Sequence, residues 1–242
     1  MGNEFSIELK SEYGTFIMNR RDQYQPNHIV ATCKPHIYQE IDYIINVVNT
    51  LGDNCVFLDI GGNIGLISIP VARFLQSKRG KVYTFEPQRI MYYMLAGNVV
   101  LNNLTNLYCY NLAVSDKEDW LAIPSVNYFD KNDFGTVTFV NSTIVSDKFV
   151  GQEKVRTIVI DKLGLDRVDM MKIDVEGMEK NVINGAKETI AKFRPLIFVE
   201  HFLARPEDRF NEFITNLGYN IHIADYQNWL CIPTEKEHLY KK

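Results

Sequence analysis

VFLDIGGNIGL, residues 56–66, decides the fold. An apolar run closes on an acid, Asp59, and passes straight into a glycine-rich turn followed by apolar residues at helical spacing. Gly61, Gly62 and Gly65 let the backbone turn tightly and approach a ligand without a Cβ clash. A helix over residues 64–75 then points its N-terminal amides at the same place, which is a seat for the polar end of a nucleotide-like cofactor. The spacing reads D-x-G-x-N-x-G. Asn63 stands where a dinucleotide fingerprint needs its second glycine, so the pyrophosphate-cradling form of the loop fits poorly. Pro70 falls inside the helical pattern, where it removes a hydrogen bond; the helix either bends there or starts late.

A second strand, KVYTFEP at residues 81–87, ends in Glu86 about twenty residues beyond the glycine loop, the distance at which a carboxylate in a βαβ unit reaches ribose hydroxyls. Each signal alone has an ordinary reading, a turn or a strand end. In this order and separation they describe one adenosine site, and the loop suits S-adenosylmethionine better than a dinucleotide. Asp59, Gly61, Gly62, Asn63 and Gly65 would face the amino-acid part of the cofactor. Glu86 and Pro87 would face the ribose, and Ala113, Val114 and Ser115 the adenine edge.

A third segment, VRTIVIDKLGLDRVDMMKIDVEGMEKNVINGA at residues 155–186, resembles the signature of FkbM-type methyltransferases, in which a K-I-D-V-E-G-x-E strand end follows T-I-x-I-D-x-L. The resemblance runs back through NLAVSD (111–116), FEP and DIGGNIG and forward to PLIFVE (195–200), covering roughly residues 39–200. It implies a class I, S-adenosylmethionine-dependent enzyme that methylates oxygen of a small-molecule or sugar-like acceptor.

The rest of the chain alternates strands and helices without repeats. Helical spacing over 36–51 precedes the first strand. A crossover helix is predicted over 90–101, the third strand over 107–114, the fourth over 169–174, a helix over 180–193 and the fifth strand over 196–202. A helix over 206–217 ends at Gly218, a C-cap. Runs at 219–224 and 229–232 flank a polar turn and predict an antiparallel pair. The fold class is therefore α/β, a doubly wound, mostly parallel seven-stranded sheet with an antiparallel C-terminal edge strand. Residues 117–154 break the alternation; runs at 120–123 and 136–140 make this a hairpin insertion, either beside the cofactor mouth or a surface elaboration. Residues 1–38 form a lid-like segment in which Tyr13, Phe16, Tyr24 and His28 either contact substrate or pack on the core. A single domain over 1–242 accommodates all of this.

With 46% hydrophobic residues and a net charge of −4, the chain carries no concentrated basic surface, which argues against nucleic acid as partner. No apolar run reaches membrane-spanning length, and a myristoylation reading of Gly2 has nothing downstream to support it. Cys33, Cys55, Cys109 and Cys231 lack zinc or disulfide spacing and read as thiols of an intracellular, cytoplasmic protein. Oligomeric state is not legible.

Ligands bind outside the carboxyl ends of an open parallel sheet, which sets Asp59, Glu86, Ser115, Asp174, Glu176, Glu200 and His201 on one rim. Methyl transfer from a sulfonium is an in-line displacement, and a hydroxyl acceptor must also lose a proton. Asp174, Glu200 and His201 are the catalytic candidates. They either hold a divalent ion such as Mg2+, in a positional likeness to catechol-type O-methyltransferases, or leave His201 as a free base. Asp174 and Glu176 have helix capping as their ordinary reading. A dinucleotide-dependent oxidoreductase and a non-catalytic methyltransferase-fold binding protein remain alternatives. A nucleic-acid 2′-O-methyltransferase is weaker, because the rim has acids where a catalytic lysine on the fifth strand would be looked for, and only Lys172 sits on a core strand near the rim.

Overall fold

The computed structural model describes residues 4–135, 149–201 and 209–240. An N-terminal hairpin, β1 (Ser6–Ser11) and β2 (Gly14–Asn19), leads into helices α1 (Gln25–Thr32) and α2 (Tyr38–Asn49). The alternating part follows: β3 (Val56–Ile60), α3 (Ser68–Gln76), β4 (Lys81–Phe85), α4 (Arg89–Leu101), β5 (Leu107–Tyr110) and the short β6 (Ala113–Val114). β7 (Trp120–Val126) and β8 (Phe149–Ile158) come next, then β9 (Met170–Ile173), α5 (Glu179–Asn184), α6 (Lys187–Phe193), β10 (Leu196–Glu200), α7 (Phe210–Asn216), β11 (Tyr219–Ile223) and β12 (Asn228–Pro233).

Seven strands form the central sheet in the order β11-β12-β10-β9-β3-β4-β5. The pairs β3–β4, β3–β9, β4–β5 and β9–β10 are parallel, and β12 runs antiparallel to both β10 and β11. The C-terminal hairpin thus gives the expected antiparallel edge, with reversed β12 seated inside β11. Strand alternation feeds two cores: Phe57 and Phe198 face the one under α2, α3 and β2, while Leu58, Ile60, Ile197 and Val199 face the one under α5, α6 and α7.

Four predicted elements differ in detail, each for a physical reason. α3 starts late, at Ser68, so Pro70 lies in its first turn, where the missing amide costs nothing. The third strand stops at Tyr110 because the Asn111 side chain donates to the Glu86 and Pro87 carbonyls at 2.9 and 3.0 Å; Ala113–Val114 pairs with β8 instead, in a small sheet β6-β8-β7. The helix predicted over 180–193 is two helices. A Cβ on Gly185 would come within 2.1 Å of the Ser115 carbonyl, so the chain packs tightly there, and Asp161 Oδ1 and Oδ2 accept the Thr189 and Glu188 amides to start α6 afresh. The insertion is a hairpin, but β7 pairs with β8; the predicted run at 136–140 lies outside the described residues. Gly2 and the first residues of the helix predicted over 206–217 also lie outside them; its end holds, with Gly218 at φ +77° after α7.

The N-terminal segment is in large part core. Phe16 and Met18 of β2 are fully buried, and α4 clasps the strand: Asn98 Oδ1 accepts the Ile17 amide at 2.6 Å and its Nδ2 donates to the Ile17 carbonyl, while Asn102 does the same for Thr15. Tyr13 donates to Asp42 at 2.8 Å, and His28 stacks among His36 and Tyr38.

Candidate active site

The cavity lies at the carboxyl end of the parallel strands and has a volume of about 520 Å³. Each strand end supplies part of its wall: Gly61, Gly62 and Asn63 after β3, Glu86, Pro87 and Gln88 after β4, Asp174 and Glu176 after β9, and Glu200 at the end of β10. The N-terminal segment closes it with Tyr24, His36 and Glu40, and the β11–β12 turn with Tyr226, Gln227 and Asn228.

On the β3–β4 side the backbone organises the wall. The Gly61 and Gly62 amides both donate to the Phe85 carbonyl at 3.0 Å, tying the loop to β4. Glu86 is 4% exposed and accepts two backbone amides, from Asn63 at 2.8 Å and Gln88 at 2.7 Å. Burial outweighs these two bonds and pushes its carboxyl up to about 7. Gly61 has φ +87°, and a Cβ there would fall 1.8 Å from the Asp174 carbonyl oxygen. The glycine allows the tight turn expected from the sequence and also the close approach of β3 to β9. Gly65 likewise faces Leu95 and Ile69 rather than the cavity. Asp59 is fully buried beneath the floor, where it accepts the Ser68 hydroxyl and lies 3.6 Å from Lys172 Nζ. Beside the main cavity a small apolar crevice runs past Gly61 and Pro87, lined by Leu112, Ala113, Val114, Leu121, Val175 and Met178. Ala113 and Val114 thus line this crevice, whereas Ser115 packs against Gly185 and lines neither space.

The β9–β10 side is carboxylate chemistry. Oxygens of Asp174, Glu176 and Glu200 lie within 4.8 Å of one another. Burial, then the Asp174 charge and a hydrogen bond to it, push Glu200 up to about 9, so Glu200 keeps its proton and shares it with Asp174. Burial and the Asp174 charge push Glu176 up to about 8. Glu176 also holds a left-handed backbone, φ +53°, which costs energy outside glycine. Neither Asp174 nor Glu176 caps α5, whose first turn has no side-chain cap.

His201 does not join this group. Its ring lies 4.8 Å from Phe210 and 4.5 Å from Trp229, its amide donates to the Gln227 carbonyl, and it is not among the cavity's lining residues. Glu176 occupies the place expected for it. Sequence reading also missed Glu40 on α2, which burial pushes up to about 7; the helical pattern of α2 gave a core face but no reason to single out this acid. Among the described residues no helix is long and apolar enough to cross a membrane.

A seven-stranded sheet of this order, with a glycine turn after the first strand, an acid after the second and acids after the fourth, defines a class I methyltransferase fold. The Methyltransferase FkbM domain model matches residues 59–226, and the chain belongs to the FkbM methyltransferase family, whose members depend on S-adenosylmethionine. It is 28% identical over 185 residues to the methyltransferase sdnD of Sordaria araneosa, covering 63% of this chain and 68% of that protein. It is 24% identical over 247 residues to the AMB antimetabolite synthetase AmbE of Pseudomonas aeruginosa, covering 85% of this chain and 11% of that one. The crystal structure of methyltransferase FkbM from Methylobacillus flagellatus KT superposes with a TM-score of 0.52 at 16% identity, over 74% of this chain and 44% of that chain, a likeness of fold. The family match sets aside the oxidoreductase alternative. Magnesium finds no support in it.

Proposed function

We propose that the chain transfers the methyl group of S-adenosylmethionine to a hydroxyl oxygen of a small molecule or sugar. The observation that carries this reading is one cavity with two unlike walls, a backbone-organised wall ending in Glu86 and an acid wall of Asp174, Glu176 and Glu200. The cofactor supplies the electrophilic methyl when bound. Glu86 has one amide on each oxygen, and its remaining lone pairs are available to two ribose hydroxyls. The Asn63 turn and the Gly61 carbonyl suit the amino-acid end, and the apolar crevice of Leu112, Ala113, Val114 and Met178 suits a purine face.

On the acceptor side the role belongs to Asp174 with its two neighbours. Asp174 receives the Lys172 ammonium at 3.0 Å and the Glu200 proton, so its orientation is fixed before an acceptor arrives. An acceptor hydroxyl donating into this group loses its proton to it as the new O–C bond forms. His201 takes no part in this version. The crowding of Asp174, Glu176 and Glu200 favours a neutral or cationic acceptor over the phosphates of a nucleic acid. For this chain the acceptor class rests on the acid wall.

The experiment is transfer from methyl-labelled S-adenosylmethionine to a panel of sugars, phenols, hydroxy acids and a transfer RNA pool. O-methylated small molecules are expected. Labelled RNA, or a product methylated on nitrogen or carbon, would overturn the oxygen assignment.

A further inference from the structure

β9 carries four buried residues, and three of them, Met170, Met171 and Ile173, are apolar. The fourth is Lys172, 4% exposed. A methionine would suit the strand's surroundings, and burying an ammonium is costly unless partners repay it. The partners are specific. Nζ donates to the Gly61 carbonyl at 3.1 Å and to Asp174 Oδ2 at 3.0 Å, and lies 3.6 Å from Asp59 Oδ1. Asp59 and Lys172 are register neighbours on β3 and β9, so two adjacent strands bring the pair together below the cavity, which Lys172 itself helps to line.

We propose that Lys172 is a positioning residue that sets both the shape and the charge of the cavity floor, holding the Gly61 carbonyl and Asp174 in one arrangement and cancelling negative charge beneath a cationic cofactor. The inference rests on the S-adenosylmethionine reading. The sulfonium is positive before transfer and neutral after it, so carboxylates left bare beneath it would stabilise the reactant more than the transition state, in which that charge is already falling. An enzyme gains nothing from such ground-state binding. Lys172 limits it. A lysine kept only for packing or hydrogen bonding would have no effect on how the site distinguishes a cationic from a neutral ligand.

Titration calorimetry of the full chain with S-adenosylmethionine and with its neutral product S-adenosylhomocysteine separates these roles. Lys172→Gln keeps a donor and removes the charge; the ratio of the two affinities is expected to rise about tenfold in favour of the sulfonium, the size of one unit charge acting across a partly solvated site. Lys172→Arg keeps the charge and is expected to retain the parent ratio, even if both ligands bind less well. An unchanged ratio in Lys172→Gln, or an equal rise in Lys172→Arg, overturns the proposal. If Lys172→Gln fails to fold, Lys172→Met is read the same way; failure of both while Lys172→Arg folds assigns the lysine to stability alone and also overturns it. A parent protein that binds neither nucleoside refutes the cofactor reading instead.

Discussion

The two walls of the cavity are built by different means. On the β3–β4 side the backbone fixes the geometry: the Gly61 and Gly62 amides close on the Phe85 carbonyl, and Glu86 is held by the Asn63 and Gln88 amides. Nothing there can move without breaking main-chain bonds, as suits a ligand held in one pose. On the β9–β10 side, side chains hold side chains. Asp174, Glu176 and Glu200 crowd together, with Lys172 bonded to Asp174 and burial raising the carboxyls of Glu176 and Glu200. That wall can change protonation, which proton removal from an acceptor requires. A binding wall and a chemical wall should therefore fail separately.

The largest expected effect tests the chemical wall. Asp174→Asn keeps the shape and a hydrogen-bonding oxygen but removes the proton acceptor; turnover is expected to fall about a hundredfold or more while S-adenosylmethionine affinity stays near that of the parent. Equal loss of both would merge the two walls into one. Glu86→Ala is the mirror experiment. It removes the acceptor of two backbone amides and, on the proposed reading, of two ribose hydroxyls, so affinity is expected to weaken by about 1–3 kcal/mol, with a lower melting temperature because the Asn63 and Gln88 amides lose their partner. Calorimetry in a folded variant checks it, and unchanged affinity would remove Glu86 from the site.

Asn98→Ala sharpens the comparison from outside both walls. Asn98 is fully buried and bonds the Ile17 amide, the Ile17 carbonyl and the Ile64 carbonyl. A loss of about 2–3 kcal/mol in chemical denaturation is expected, with cofactor affinity nearly intact. The smallest effect is pH dependence. Burial raises the carboxyls of Glu176 and Glu200 to about 8 and 9 in the folded protein, well above their unfolded values. Their protonated forms favour folding, so that contribution is complete below the unfolded pKa and is lost as pH rises through 8 and 9. The ligand-free protein is expected to melt a few degrees lower at pH 9 than at pH 6, and Glu200→Gln to flatten the difference. A melting temperature that rises with pH over this range would contradict the raised values.

The binding wall was largely legible in the sequence because its parts are local. Gly61, Gly62, Asn63, Glu86 and Pro87 line the cavity and lie within one βαβ unit, where spacing translates into position. Gly61 and Gly65 were read as allowing a tight turn and a close approach to a ligand; both have positive φ, and a Cβ on them would also meet Asp174 and Leu95. Spacing shows that a Cβ is forbidden, not what forbids it. Ser115 was misplaced because the third strand breaks at Asn111, whose side-chain bonds leave no period in the sequence. The chemical wall was legible one strand at a time. Asp174 and Glu200 were found at their strand ends, but a one-residue step in a strand turns a side chain to the other face, and His201 turned toward Phe210 and Trp229. Glu40, from a helix more than a hundred residues earlier, gave no local signal at all.

The central claim is that this cavity holds S-adenosylmethionine, and direct titration of the full-length chain tests it most simply. One molecule of S-adenosylmethionine is expected to bind per chain, with S-adenosylhomocysteine competing for the same site and NADH giving no heat. No binding at millimolar cofactor, or saturable binding of NADH that S-adenosylhomocysteine does not displace, would contradict the account.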